Sequence, residues 1–433
     1  MGKLGDFKNF WSAMNKTLTI ILISLFSASL FSQNFTVADL KVQGNKKLKT
    51  SFIKRISSIK TGEKLDSLVI EQDIKRLKRL PSVSHASYQV FPSGDGKYNV
   101  FYNIEENFTI IPSASIYTSS DDEFAYRIGL YEFNLFGQNI VFGGFYQKDI
   151  YNSYALNFRA PYLFSNRYGL AFNYQNLTTQ EPVFFDNTSA YYKYNNKSFE
   201  ALGLYQINFN NRLEAGINYF TEDYQYTSGA TNPSVPQDLI AKKLLYKVIY
   251  EYNNLDYDYQ YVSGFKSTFN FQYVTSRNDI LPDFLIGWND FLFFKKIGSK
   301  GNWANRLRLG VASNNNTPFA PFSVDNNINI RGVGNIIDRG TGVVVLNTEY
   351  RQTLYEKNWF VLQGNAFVDS GSWRNPGGDF GDFSRSENIR IYPGIGLRFI
   401  HKKIFNAIFR IDYGYGITEN ASKGLVFGIG QYF

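Results

Sequence analysis

The feature that most constrains the fold is an alternation of apolar and polar residues from Thr109 to the end of the chain. In one such stretch Leu307 and Leu309 share one face, whereas Arg306 and Arg308 share the other. A period of two is typical of β-strands whose two faces meet different surroundings. Turn-forming residues interrupt the pattern repeatedly. Most of the chain is therefore predicted to be antiparallel β-sheet.

The number of these stretches favours a closed barrel. An even number of antiparallel strands can form a ring that leaves no unpaired edge in lipid. Apolar residues recur on one face and charged residues on the other, and aromatic residues make up 18% of the chain. A soluble sandwich would instead point its charged face outward, so the pattern predicts a transmembrane barrel with a watery lumen. The sixteen predicted strands begin near residues 109, 124, 139, 153, 167, 198, 212, 242, 259, 284, 303, 342, 359, 389, 405 and 424.

The predicted connections fall into two length classes. Outer-membrane barrels have long external loops and short periplasmic turns. Because the short class lies at the end where the chain enters the barrel, the N-terminal region is expected in the periplasm. The long class comprises Thr179–Asn187, Thr227–Ala241, Ser313–Arg339 and Ser370–Asn388, and the short class includes Leu135–Gln138, Asn208–Asn211, Tyr355–Asn358 and His401–Ile404.

The first residues have the pattern of an export signal. The cationic segment Met14–Lys16 precedes an apolar run, Leu18–Phe31, that is shorter than the ~20 residues of a membrane-spanning helix. We interpret residues 1–32 as a signal peptide cleaved after Ser32, with an unused upstream start before Met14. A buried N-terminal helix is the alternative interpretation.

Residues 33–107 have a different character and are predicted to form a small α+β domain ahead of a barrel over residues 108–433. Apolar residues recur at helical spacing between Asp66, which is placed as an N-cap, and Pro81. The predicted elements are a strand at Phe35–Val42, helices at Thr50–Ser58 and Asp66–Leu80, and strands at Val83–Phe91 and Tyr98–Glu105.

Charge and rare residues exclude several functions. The formal charge is +8, and residues 33–107 carry thirteen Lys or Arg against eight Asp or Glu. A solvated face explains this excess, with attraction to anionic lipid as the alternative. Nucleic-acid binding is not expected, because no aromatic residues interleave a basic stripe. Two His in no ligand pattern, no Cys and no phosphate-binding loop indicate no metal, no cofactor and no enzyme activity.

Motifs in the N-terminal domain resemble the polypeptide-transport-associated (POTRA) domain. The order strand, helix, helix, strand, strand matches that family. Val42-x-Gly44-Asn45 follows the first strand, and Tyr102-x-Ile104-Glu105-Glu106 closes the last. The resemblance implies that the domain handles polypeptides in the periplasm.

Three motifs in the barrel resemble the BamA/TamA-type outer-membrane assembly and translocation proteins. Ile330-Arg331-Gly332-Val333, between the eleventh and twelfth strands, is similar to the family's Val-Arg-Gly-aromatic loop tip. Phe367-Val368-Asp369-Ser370-Gly371 is similar to its Phe-x-Asp-x-Gly motif. The segment Phe427–Phe433 ends on the closing aromatic, Phe433, that such barrels present to the insertion machinery. Val333 departs from the family's aromatic, and only one POTRA domain fits before the barrel.

Arg331 is the centre of the candidate site. A guanidinium that enters a confined lumen needs a carboxylate partner, because a desolvated charge without one is costly. Asp369 is the favoured partner, and Glu349 and Asp412 compete for the role. With Gly332 and Gly371 these residues form a predicted lumen latch. The alternative is that Arg331 is a solvated loop residue.

The seam between the last and first strands is predicted to be weak. Gly428 and Gly430 lie on the lumen face of a last strand predicted to reach Phe433, and Pro112 interrupts the first strand. A seam that opens sideways would expose backbone groups able to pair with an incoming strand. Simple packing is the alternative reason for the glycines.

The resemblance implies a function and a location. The chain is expected in the outer membrane of a Gram-negative bacterium, where it inserts β-barrel proteins or translocates polypeptides. Expected partners are unfolded outer-membrane or secreted polypeptides, outer-membrane lipid and accessory lipoproteins. The alternative is a passive porin, or a barrel that anchors a separate periplasmic or surface module.

Overall fold

The structure is a computed structural model. It describes residues 35–118, 124–185, 188–278, 281–315, 317, 320–324, 329–333, 338–419 and 421–433. The export signal predicted over residues 1–32 lies outside the described residues. Within the described part of the chain, no helix is long and apolar enough to cross a membrane.

The N-terminal domain is a three-stranded sheet covered by two helices, as the sequence predicted. The strand order is β1-β3-β2, with β1 parallel and β2 antiparallel to β3. Asp66 caps the second helix, where its carboxylate accepts a 2.8 Å hydrogen bond from the backbone N–H of Leu68. The elements are β1 (Thr36–Gln43), α1 (Thr50–Ile56), α2 (Ser67–Lys78), β2 (Val83–Pro92) and β3 (Lys97–Glu106).

A buried carboxylate that the sequence analysis missed ties this domain together. Asp73, on α2, accepts hydrogen bonds from the backbone N–H groups of Ser58 and Ile59 and from the guanidinium of Arg76. It also accepts a 3.0 Å hydrogen bond from the hydroxyl of Tyr102 on β3. Burial and the nearby carboxylate raise the pKa of Tyr102 well above its usual value. The two helices and the sheet are therefore joined at one polar centre inside an apolar core.

Within the described ranges, sixteen long antiparallel strands form a closed barrel, which confirms the predicted fold class. Three short strands lie in its connections. The long strands are β4 (Ile110–Thr118), β5 (Phe124–Leu135), β6 (Ile140–Lys148), β7 (Asn152–Ala160), β8 (Tyr168–Phe185), β9 (Thr188–Gln206), β10 (Asn211–Gly229), β11 (Asp238–Asn253), β13 (Tyr261–Ser276), β14 (Phe284–Ile297), β15 (Gly301–Ala312), β18 (Gly342–Glu356), β19 (Phe360–Arg374), β20 (Ile389–His401), β21 (Ile408–Tyr415) and β22 (Lys423–Ile429). The short ones are β12 (Asp256–Asp258), β16 (Phe322–Val324) and β17 (Asp338–Gly340).

One predicted loop is wrong. Thr179–Asn187 was expected to be a long connection, but β8 continues through it as far as Phe185 and β9 begins at Thr188. The two strands stay paired as far as Phe185 and Thr188. Tyr192 and Tyr194 on β9 pack against tyrosines of β10, so contacts across the sheet stabilise polar residues that locally favour a loop.

The two faces of the barrel differ as predicted. On β20, Ile395 is 68% exposed on the outer face, whereas Arg398 is fully buried on the lumen face. On β18, Leu346 and Tyr350 face outward, and Glu349 faces inward. An apolar exterior with charges inside is the arrangement of a barrel that spans a membrane.

The N-terminal domain is docked on the end of the barrel where β4 begins, which we call the near end. The backbone N–H of Lys49 donates a 2.9 Å hydrogen bond to the carbonyl of Gly137, between β5 and β6. Arg79, at the end of α2, stacks over the ring of Phe209 at 4.5 Å, between β9 and β10. Contacts from several turns therefore hold the domain over part of the near end.

The ring closes between β22 and β4, and this seam is its weakest junction. Of the neighbouring long strands in the described residues, these two are the most sparsely joined. At the near end the linker before β4 pairs with the turn between β20 and β21. There the N–H of Phe108 donates to the carbonyl of Lys403 at 2.9 Å, and the N–H of Phe405 donates to the carbonyl of Phe108 at 3.2 Å. The seam is therefore sparsely paired along β22 but tied at its near end.

Candidate functional site: a loop tip in the barrel lumen

The connection between β15 and β18 folds back into the lumen. Its short strands β16 and β17 pair with each other, and its tip, residues 329–333, reaches the lumen faces of β18, β19 and β21. Ile330, Arg331 and Val333 are fully buried. A loop of this length is usually functional rather than a simple connection.

Arg331 is bound to Asp369, the partner that the sequence analysis favoured. Its Nε and Nη2 atoms donate to the two carboxylate oxygens at 2.8 and 3.0 Å, and its backbone N–H donates to the same group at 3.0 Å. A two-pronged guanidinium–carboxylate pair fixes orientation as well as charge. Asp369 therefore holds both the side chain and the backbone of the loop tip.

The two competing carboxylates also lie beside Arg331. Its Nη1 atom donates to Glu349 at 2.5 Å and lies 3.7 Å from Asp412. Glu349 is on β18, Asp369 on β19 and Asp412 on β21, and all three are fully buried. The sequence analysis treated these carboxylates as alternatives. The structure brings all three to one guanidinium, because their strands curve around the loop tip.

Three further arginines join Arg331 and its carboxylates in what we call the latch cluster. The sequence analysis did not include these three arginines in the predicted latch. Arg351 and Arg398 both donate to Glu349, and Arg410 donates to Asp412 at 2.8 Å. Alternation along a strand can place an arginine on the lumen face, but it cannot show that arginines of different strands converge. Buried charges are tolerated only when paired and hydrogen bonded, so removing one member leaves another uncompensated. The latch cluster consists of Arg331, Arg351, Arg398, Arg410, Glu349, Asp369 and Asp412.

Two aromatic rings flank the guanidinium of Arg331. Its Cζ lies 3.6 Å from the ring centroid of Phe367 and 4.6 Å from that of Tyr432. Phe367 is two residues before Asp369 on the same strand, so both face the lumen. Cation–π attraction adds to the charge pairing where water is excluded. The first position of the Phe-x-Asp-x-Gly motif therefore has a physical role.

The motif glycines permit close contacts. Gly332 has a φ of +94°, and a Cβ there would lie 2.7 Å from the backbone of Gly414 on β21. A Cβ at Gly371 would lie 2.9 Å from the side chain of Ile330. A side chain at Gly332 would be strained by its backbone angle and would also displace the loop from β21. Both glycines are thus required by the way the tip fits the wall.

Val333 occupies the position where the family has an aromatic. It belongs to an apolar cluster with Val343 and Tyr392. The hydroxyl of Ser422, just before β22, lies 2.8 Å from the carbonyl oxygen of Val333 and 3.2 Å from that of Gly332. The loop tip is therefore hydrogen bonded to the residue that directly precedes the seam strand.

The seam residues are placed differently from the prediction. β22 ends at Ile429, so a last strand reaching Phe433 is wrong. Gly430 has a φ of +92°, and the residues after it turn into the lumen, where Gln431 accepts a hydrogen bond from Arg398. Phe433 packs with Leu255, Phe294 and Ala304 instead of closing the strand. The ring of Tyr432 lies beside Arg331 and the ring of Phe433 beside Arg351. Cation–π attraction to these buried arginines explains why residues 430–433 leave the sheet.

The other two residues predicted at the seam, Gly428 and Pro112, lie within strands. Gly428, on the lumen face of β22, pairs with Arg410, and a Cβ there would collide with the guanidinium. Its missing side chain makes room for a member of the latch cluster. Pro112 lies in β4 opposite Leu130 of β5.

The comparisons with known proteins agree with this architecture. Residues 35–107 match the POTRA family model, described as a surface antigen variable number repeat. No curated protein sequence matches the chain.

Solved structures resemble nearly the whole chain. CdiB from Escherichia coli is 11% identical with a TM-score of 0.63, over 91% of this chain and 75% of that one. CdiB from Acinetobacter baumannii is 14% identical with a TM-score of 0.61, over 92% and 74%. BamA from Haemophilus ducreyi lacking POTRA domains 1–3 is 16% identical with a TM-score of 0.50, over 91% and 83%. A POTRA domain followed by a sixteen-stranded barrel therefore gives this chain the same fold as the solved BamA and CdiB structures.

Proposed function

We propose that this protein moves polypeptides at the outer membrane, either by inserting β-barrel proteins or by translocating chains across it. The observation that carries the proposal is the loop tip held in the lumen by fully buried Arg331, next to a sparsely paired seam. In this arrangement the N-terminal domain lies in the periplasm at the near end, and the long loops lie outside the cell. Outer-membrane lipid surrounds the barrel, and accessory lipoproteins are further expected partners.

A passive porin fits these features less well. A porin conducts through a continuous watery channel, whereas here the loop tip and residues 431–433 occupy the lumen beside β18 to β22. The N-terminal domain also lies over part of the near end. A barrel that only anchors another module would not need a buried charge cluster, because such clusters are costly to build.

The opposite wall of the lumen suits the passage of a hydrated polypeptide. Its charges occur in pairs, so the wall is polar without a strong net field. Lys266 lies 2.8 Å from Glu251, and Lys243 lies 2.6 Å from Glu222. The polar, charge-balanced wall therefore supports translocation, which is one of the two proposed activities.

Client strands are proposed to bind at two edges. In the N-terminal domain, β2 is an outer strand of the sheet order β1-β3-β2, so one side of its backbone is available for an added strand. At the seam, β4 would offer its edge when β22 moves away. Both edges would recognise backbone geometry, which allows many client sequences.

Depletion of the protein tests the proposal. Insertion predicts the loss of β-barrel proteins from the outer membrane, and translocation predicts the loss of particular secreted polypeptides from the medium. Proteomes of both fractions distinguish the two. If both fractions stay unchanged while the purified protein forms a steady, wide pore in planar bilayers, the porin alternative replaces the proposal.

A further inference from the structure

A cavity of about 310 Å³ lies where the N-terminal domain meets the near end of the barrel. Leu80, just after α2, and Val83, the first residue of β2, form its domain wall. Tyr257 and Gln260 contribute from the connection between β11 and β13, and Phe405 from the turn between β20 and β21. We call this space the junction cavity. Three parts of the molecule that are distant in sequence therefore build it together.

The junction cavity lies between the two edges proposed for client strands. On the domain side it reaches Val83 and Ser84, where the outer strand β2 begins. On the barrel side it reaches Gln431, just after the seam strand β22. A polypeptide that pairs along β2 and continues towards the seam passes this cavity.

Two buried polar atoms of side chains that line the cavity have no hydrogen-bond partner within the described part of the chain. They are Nη2 of Arg79 and Oε1 of Gln260. The remaining polar atoms of both side chains are used. Nε of Arg79 donates to the carbonyl of Leu255 at 3.0 Å, and Nε2 of Gln260 donates to Glu356 at 3.0 Å. One fixed donor and one fixed acceptor are thus left over.

These leftover groups match a peptide unit better than an anion. A peptide unit offers one carbonyl acceptor and one N–H donor, and both must be satisfied when buried. The nearby lysines already have acidic partners, since Lys78 lies 3.8 Å from Asp256 and Lys402 pairs with Glu356. A phosphate or lipid head group would find little free positive charge there.

The volume suits one large apolar side chain. It is about twice that of the ~150 Å³ apolar cavity known to bind benzene. Apolar side chains, among them Leu80, Val83 and Phe405, form part of its lining, and polar side chains form the rest. Apolar surface combined with placed polar groups is typical of ligand sites.

We propose that the junction cavity binds an aromatic or branched aliphatic side chain of an extended client polypeptide, while Arg79 and Gln260 hold the neighbouring peptide group. The inference rests on the proposed function and adds a third recognition point to it. The cavity supplies a preference for apolar side chains that strand addition at β2 and β4 lacks.

A binding measurement on the full chain in detergent micelles tests the inference. The probe is a fluorescent synthetic peptide with the sequence of residues 423–433, which contains the strand sequence of β22 and carries Phe427. Ala407→Trp and Ser84→Trp fill the cavity from opposite walls, and Ser299→Trp, in the exposed turn after β14, is the matched control. We expect both filling variants to weaken binding about tenfold, the scale of losing one buried anchor side chain. The control should bind as the unaltered chain does.

Three further tests separate a lost site from a lost fold. Heat-modifiable mobility on gels shows whether each variant keeps its barrel. Gln260→Leu, which keeps the shape and removes only the leftover acceptor and its amide, should weaken binding while the barrel stays folded. Because the chain has no Cys, a single cysteine placed at Ala407 should form a disulfide with a peptide thiol at the Phe427 position when an oxidant such as copper phenanthroline is added to accept the two electrons. One placed at Ser299 should react much more slowly.

Unchanged binding in both folded tryptophan variants overturns the inference, as does a complete lack of binding by the unaltered chain. Failure of the proposed function looks different. Depletion would then alter neither the outer-membrane nor the secreted proteome, regardless of how tightly the peptide binds to the purified chain. Loss of clients on depletion, together with unchanged peptide binding in the filled variants, would remove the cavity and leave the function standing.

Discussion

The ring of Tyr432 lies 4.6 Å from the guanidinium carbon of Arg331, so the segment after the seam strand covers the loop tip. Tyr432 also lies 5.1 Å from the guanidinium carbon of Arg410. The same loop tip contacts β21 through Gly414 and approaches Ser422 just before β22. Movement of β22 away from β4 would therefore disturb the contacts of the loop tip, and release of the loop would weaken the hold on β22.

This contact predicts energetic coupling between Tyr432 and Arg331. Tyr432→Leu should raise the frequency of open events in planar-bilayer conductance, since a cation–π contact contributes about 0.5–2 kcal/mol. Tyr432→Phe keeps the ring and serves as the control. In a double-mutant cycle with Arg331→Lys, the two effects should fail to add. Strict additivity would show that the loop and the terminal segment act independently.

Asp369→Asn removes the carboxylate that binds Arg331 and keeps its size. We expect the folded-in loop to be destabilised by about 3 kcal/mol, because a buried guanidinium loses its main partner. Protease sensitivity of the loop and noisier conductance should reveal the change. Glu200→Gln, which removes a lumen carboxylate paired with Lys247 on the opposite wall, is the matched control. Equal effects of the two changes would argue against a specific latch.

Gly332→Ala should release the loop tip, and Gly424→Ala should not. At Gly332 a Cβ meets both a positive φ and the backbone of Gly414, whereas at Gly424 the nearest atom would be 3.4 Å away, an ordinary contact. Conductance and loop proteolysis report the difference between the two variants. A silent Gly332→Ala would mean that β21 moves to accommodate the methyl group.

A covalent lock across the seam should stop client handling if β22 has to leave β4. The chain lacks Cys, so cysteine pairs can be scanned between residues 110–114 and 425–429 without background. Variants that form the disulfide are expected to lose client assembly or secretion, and a reductant should restore it. Pairs between β5 and β6 control for the presence of a disulfide. Full activity of a locked seam would contradict lateral opening.

The N-terminal domain should lose stability at alkaline pH through Tyr102. The pKa of Tyr102 is raised in the folded domain by burial and by Asp73, so its contribution is complete below the unfolded value of about 10 and falls as the pH rises further. The slope cannot exceed about 1.4 kcal/mol per pH unit for one group. Tyr102→Phe should remove this component from urea unfolding followed between pH 9 and 11. An unchanged pH profile in Tyr102→Phe would contradict the assignment.

Much of the fold could be predicted from local patterns. The period of two placed the sixteen strands and assigned Arg306 to the lumen and Leu309 to the lipid, because each strand face meets a single environment. Helical spacing after Asp66 placed α2, because one face of that helix packs against the domain core. The prediction failed at Thr179–Asn187, where pairing between two long strands overrides the local preference of polar residues for a loop.

The order of amino acids is enough to specify the barrel, its strand faces, and the presence of an arginine on a loop and a carboxylate on a nearby strand. It does not show that Glu349, Asp369 and Asp412 share Arg331, that Tyr432 covers it, or that the N-terminal domain encloses a cavity against the barrel. These relationships exist only in three dimensions. The physical reason is that alternation is a property of neighbouring residues. Convergence instead depends on how the strands curve into a ring, which brings together side chains that are distant along the chain.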